Sequence, residues 1–136
     1  MADWGDLVAY IRHSYDVIRY EPDEVRIRVS FAKDEDDILG RRQIMVVARE
    51  ILDQKEDWVQ IATPFARVEQ VDLREMLTEV GNTIVVGGVA AMGDYLVLRH
   101  SLPLINLDIN EFTDPLHLVA SAAEQLERQF TGHDEY

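Results

Sequence analysis

Glycine spacing, acid clusters and histidines are where chemistry would show first in this chain, and each offers a candidate. Gly88 and Gly93, within Val85-Val86-Gly87-Gly88-Val89-Ala90-Ala91-Met92-Gly93-Asp94-Tyr95, have the glycine spacing of a phosphate-binding G-x-x-x-x-G-K-[ST] loop. Such a loop needs a lysine to neutralise phosphate and a hydroxyl to hold magnesium. Asp94 and Tyr95 occupy those places, so a carboxylate would repel the ligand. A P-loop also follows a strand and opens a helix, whereas Tyr95 to His100 has the residue types of a strand. The segment therefore predicts a hairpin, with Gly93-Asp94 as its reversal.

The acidic run Lys33-Asp34-Glu35-Asp36-Asp37 invites a calcium reading, but it lacks the spaced oxygen ligands, mid-loop glycine and terminal glutamate of an EF-hand. It predicts a solvated hairpin tip, with Gly40 helping the reversal. His13, His100, His117 and His133 contain no pair at the i, i+4 spacing of a helical metal site. His100 and Ser101 are adjacent on an expected strand and so point to opposite faces, and no G-x-S-x-G elbow exists. The sequence thus predicts no catalytic residue, metal ligand or cofactor site, and a non-enzymatic protein.

The size of the elements that must carry any site is bounded by 136 residues, 47% of them hydrophobic, which suits one domain spanning 1–136. Thirteen Lys+Arg against 26 Asp+Glu give a net charge of −13. That charge repels phosphate backbones and anionic headgroups, arguing against nucleic acid and membrane partners, and it attracts basic peptides. Cysteine is absent, which removes disulfides and thiolate chemistry and fits a reducing compartment. The first six residues have no basic region before an apolar run, and the longest uncharged stretch, Val80 to Gly93, is too short to span a bilayer. A soluble, cytoplasmic protein is expected.

Apolar residues Trp4, Leu7, Val8, Ile11, Tyr15 and Ile18 recur at helical spacing, predicting a first helix over 4–19, capped by Asp3. Val25, Ile27, Val29 and Phe31 alternate with polar residues as a half-wet strand does. Gln43 to Leu52 and Trp58 to Val68 complete an antiparallel meander, with Pro64 suggesting an edge position or a bulge in its third strand. Val59, Ile61, Thr63 and Phe65 should face the core. A second helix opens at Asp72 and carries the stripe Leu73, Met76, Leu77, Val80 and Ile84, ending between residues 80 and 86. After the glycine hairpin, Asp114-Pro115 predicts the start of a third helix with the stripe Leu116, Val119, Ala123, Leu126 and Phe130, opposite Glu124 and Arg128, stopped by Gly132. The expected fold class is α+β, an antiparallel five-stranded sheet packed by helices in the order α-β-β-β-α-β-β-α.

That order, the segment Glu79-Val80-Gly81-Asn82, the Gly93-Asp94 hairpin, and Tyr95-Leu96-Val97-Leu98-Arg99-His100-Ser101-Leu102-Pro103 before the last helix resemble the YbjN family of bacterial proteins. The resemblance covers essentially the whole chain. It implies a fold shared with the class I chaperones of type III secretion, a homodimer, and activity by binding peptide segments or partner proteins. The run Gly87-Gly88-Val89-Ala90-Ala91 departs from it in being small-sided for a strand.

Three helices are too few to cover both faces of such a sheet, so one face is expected to stay open, with Met45, Val47, Trp58, Gln60 and Ala62 as candidate partner-binding residues. The expected function is a peptide- or protein-binding module, chaperone-like or regulatory. The alternative is a small-molecule sensor or enzyme whose site is assembled at a dimer interface.

Overall fold

The structure, a computed structural model, describes residues 3–31 and 42–132. The expected acidic hairpin tip at 33–37 and His133 lie outside the described residues. Within them run α1 (Trp4–Ser14), β1 (Asp16–Glu21), β2 (Glu24–Ser30), β3 (Arg42–Leu52), β4 (Glu56–Arg67), a 3-10 turn (Val68–Gln70), α2 (Leu73–Thr83), β5 (Gly88–Met92), β6 (Tyr95–Pro103) and α3 (Ile109–Thr131). The fold is α+β, as expected, but the sheet has six strands, all antiparallel, in the order β1-β2-β3-β4-β6-β5.

The extra strand is β1, which takes the end of the expected first helix, from Asp16, and runs past it to Glu21. Asp3 caps α1 through its carboxylate, which accepts the Asp6 N–H at 2.9 Å. The helix stops at Ser14 because Val17, Ile18 and Tyr20 prefer an extended backbone and can pair with β2. Ile18, expected on the buried stripe, falls beside a register irregularity in β1 and is exposed.

Pairing fixes which residues share a face. Val25 lies opposite Val47, and Val47 opposite Ile61. These, with Ile27, Met45, Val59 and Leu98, are fully buried in one core cluster that also contains Trp4, Leu7 and Ile11 of α1, Met76 of α2, and Phe112, Leu116, Val119 and Ala123 of α3. All three helices therefore pack on a single face, with α3 crossing β3, β4 and β6. Val59, Ile61, Thr63 and Phe65 face this core as the alternation predicts. Thr63 remains satisfied there, its hydroxyl donating to the Ile44 carbonyl at 2.7 Å and accepting from Gln43 Nε2 at 2.8 Å. Pro64 sits at a bulge against β6, not on an edge, since β4 is flanked by β3 and β6.

Two helices differ from expectation in instructive ways. In α2, capped by the Asp72 carboxylate on the Glu75 N–H, only Met76 is buried; Leu73 and Leu77 are 42% and 52% exposed. The helix ends at Thr83, within the expected range of 80–86. Helix α3 begins six residues before Pro115, at Ile109, because Asp108 and Glu111 form a capping box that outcompetes the Asp114-Pro115 signal. Pro115 lies inside the helix, and Glu124, expected opposite the apolar stripe, is buried with its carboxylate accepting from Arg128 at 3.1 Å. Gly132 ends α3 in the left-handed conformation, as predicted.

Candidate functional site

The same pairing that builds the core defines the opposite face of the sheet, which none of the described helices covers. Val46 lies between Arg26 and Ala62, Ala62 continues across to Arg99, and Arg99 to Gly88. Neighbouring rows join Ala48, Gln60 and Ser101, then Glu50, Trp58 and Pro103. Arg28 with Ile44, and Pro64 with Val97 and Ala90, complete the surface.

Of the five residues expected on one open face, the structure places Trp58, Gln60 and Ala62 here. Met45 and Val47 are a correction: they are fully buried on the helix side. The physical reason is register. Val47 is paired with Ile61, not with Ala62, so the residues of β3 that share the face of Trp58 and Ala62 are Ile44, Val46 and Ala48. The run Ile44-Met45-Val46-Val47 is apolar at every position, and alternation within the strand could not reveal its parity.

The centre of the free face is apolar and its margins are charged. Ala62 and Val97 are buried yet stand apart from the helix-side core cluster, because larger neighbours such as Val46 and Arg99 shield them. Arg26 Nε donates to Glu24 at 3.0 Å, Arg28 to Asp16 at 3.4 Å, and Arg19 to Glu21. Arg99 approaches Glu50 to 4.0 Å, on the row beside Ala62. At the far corner Arg67 stands 5.4 Å over the Tyr95 ring and donates to Glu69 at 3.0 Å, a bond that raises its pKa above the ordinary arginine value. Each of these arginines has a carboxylate beside it, so the chain's −13 resides elsewhere.

Chemistry of other kinds finds little support in the geometry. The Gly88–Gly93 segment is β5 and its turn into β6, the hairpin predicted, and not a strand-to-helix cradle. Gly87, in the left-handed region at φ 92°, is required there: a Cβ would stand 2.9 Å from the Arg99 carbonyl oxygen. His100 pairs across from Ile61 and Ser101 from Gln60, which places them on opposite faces. His117 instead meets the Tyr15 hydroxyl at 3.1 Å where α1 approaches α3. Among the described residues no group of three or more acidic or histidine side chains is arranged to hold a metal ion, and no helix is long and apolar enough to cross a membrane.

The molecule is thus an α+β protein with one helix-covered and one helix-free sheet face. Comparison with protein families and with curated proteins finds no match to the chain.

Proposed function

We propose that this protein is a non-enzymatic peptide- or protein-binding module, chaperone-like or regulatory, whose binding surface is the helix-free face of its sheet. The observation that carries the reading is the apolar centre of that face, from Ile44 and Val46 through Ala62 to Val97, on a sheet whose other side is already filled by three helices. A face of this kind suits a partner that contributes apolar side chains at its centre and hydrogen bonds at its arginine-rich margin.

The resemblance to the YbjN family and to the class I chaperones of type III secretion supports the same reading. It adds a homodimer to the proposal, and the lack of cysteine adds a cytoplasmic setting.

The test is capture of partners by the wild-type protein beside Val46→Glu and Trp58→Glu variants whose folding is verified by circular dichroism. A partner held by the wild type and lost by both variants is the expected result. Retention of every partner by both would overturn the proposal, because a carboxylate in the middle of a desolvated contact costs several kcal/mol.

A further inference from the structure

At the Trp58 end of the sheet the surface changes character. The β3–β4 turn and the connection from β6 to α3 meet there, held together by the Leu104 N–H donating to the Asp57 carbonyl at 3.0 Å. Two depressions, of about 220 and 360 Å³, lie side by side and share Pro103 and Ile105 as their common wall. Trp58, directly opposite Pro103 in the sheet, lines the smaller; Asn110, Glu111 and Asp114 of α3 line the larger.

The wall itself is anomalous. Leu104 and Leu107 are buried, and the Leu107 N–H donates to the Leu104 carbonyl at 3.1 Å, closing a tight turn with Asn106 at φ 60°. Between those anchors Ile105 is 70% exposed, in a turn position that folding alone would fill with a polar residue or proline. Leu52, on the same side of the β3–β4 hairpin as Trp58, is 46% exposed. Asp53, Gln54 and Asn106 are the non-glycine residues with positive φ among the described residues, and all three belong to these two loops. The hairpin turn closed by the Lys55 N–H on the Leu52 carbonyl at 3.1 Å requires positive φ at Asp53 and Gln54, and Asn106 is a residue type that tolerates it, so both loops are held in defined tight turns.

Charge selects the occupant. Segments 50–58 and 103–115 together carry seven acidic residues against Lys55. Two of the seven have an arginine beside them, Glu50 near Arg99 at 4.0 Å and Asp57 bonded to Arg49 at 3.0 Å, so the local excess of negative charge is set by Asp53, Glu56, Asp108, Glu111 and Asp114.

We propose that this groove docks a short basic peptide, with apolar side chains seated on either side of Ile105 and cationic side chains facing Glu56 and Asp114. The proposal rests on the binding-module reading and gives its partner a chemistry and a second contact region. Apolar anchors in the two depressions would supply most of the affinity, and the acidic rim would set the preference for positive charge and the salt dependence.

A fluorescein-labelled peptide alternating leucine and lysine, read by anisotropy, is the probe, with a peptide of equal charge in which serine replaces leucine as its control. The leucine peptide should bind at least about tenfold more tightly than the serine peptide, and Ile105→Ser should remove about that factor. Ile105 is exposed enough that this substitution leaves the fold intact. Glu56→Gln combined with Asp114→Asn should weaken binding severalfold and flatten its salt dependence, whereas Leu77→Ser, which removes an exposed apolar side chain from α2, should change nothing. Equal binding of the two peptides, full binding by Ile105→Ser, or no binding of the leucine peptide each overturns the proposal. Loss of the leucine peptide with Val46→Glu but not with Ile105→Ser would assign it to the sheet face, leaving the binding-module reading standing and the groove refuted.

Discussion

Ile61 and Ala62 are neighbours in β4 and live in different surroundings. Ile61 lies between Val47 and His100 in the sheet, fully buried on the face that α3 crosses; Ala62 lies between Val46 and Arg99 on the face that no described helix covers. Both are shielded from water, but by different means. On the helix side the shielding comes from other elements, so each side chain there ties a strand to a helix. On the free side it comes from the sheet's own larger side chains, which a docking partner can displace or build upon. The covered face stabilises the fold, and the free face is the one proposed for recognition.

The sharpest way to break that comparison is a matched pair of truncations. Ile61→Ala opens a cavity in an interior with no freedom to collapse and should cost about 2–5 kcal/mol. Val46→Ala removes a half-buried side chain beside solvent and should cost about 1 kcal/mol or less. Urea denaturation curves compare the two directly; equal losses would mean that the free face is packed as tightly as the core. Gly87→Ala should follow in size, at about 1–3 kcal/mol, since it combines a left-handed backbone with a Cβ pressed against the Arg99 carbonyl. Its effect should be felt as loosening of β5 from β6, read by faster amide exchange in Gly88–Met92 than in the rest of the sheet.

How much of this was legible in the sequence depends on the kind of signal. Val25, Ile27 and Val29 alternate with arginines, so β2 and its buried face were readable from residue types alone. The Gly93-Asp94 turn was readable because an aspartate where a phosphate loop needs lysine excludes that alternative. What could not be read was tertiary competition. Tyr15 to Tyr20 continue a helical spacing, yet pairing with β2 wins them for the sheet. Two plausible caps compete for α3, and the capping box at Asp108 and Glu111 prevails over proline. The site was half legible for the same reason: Trp58, Gln60 and Ala62 were found because β4 alternates, whereas Met45 and Val47 were misplaced because β3 does not.

The helix side of the comparison contains a titratable contact, and it predicts an alkaline limit to stability. Tyr15, where α1 approaches α3, has its pKa pushed up to about 12 by burial first and by neighbouring Tyr10 second. The unfolded chain ionises this phenol near its ordinary value of about 10, below the folded value. Its contribution is therefore complete below about pH 10 and is lost as pH rises from there through about 12. Phenolate absorbance of the wild type minus that of Tyr15→Phe should show Tyr15 titrating at about 12, and Tyr15→Phe should remove its share of the alkaline destabilisation. A Tyr15 that titrates at the ordinary value would place it in solvent and detach α1 from α3.

The smallest expected effect belongs to the free face and sharpens the comparison from the other side. Arg26→Ala breaks the 3.0 Å bond to Glu24, but both partners are partly exposed and paired along one strand, so stability should change by about 0–1 kcal/mol. Arg26 also sits in the row that runs through Val46 and Ala62 to Arg99. If the free face binds a partner, the same substitution should weaken that partner's affinity while leaving the denaturation midpoint almost unmoved. A side chain that matters to binding and hardly to folding is what separates this face from the one beneath the helices, where no truncation can be silent in stability. A large shift in the midpoint with unchanged affinity would reverse the roles assigned to the two faces.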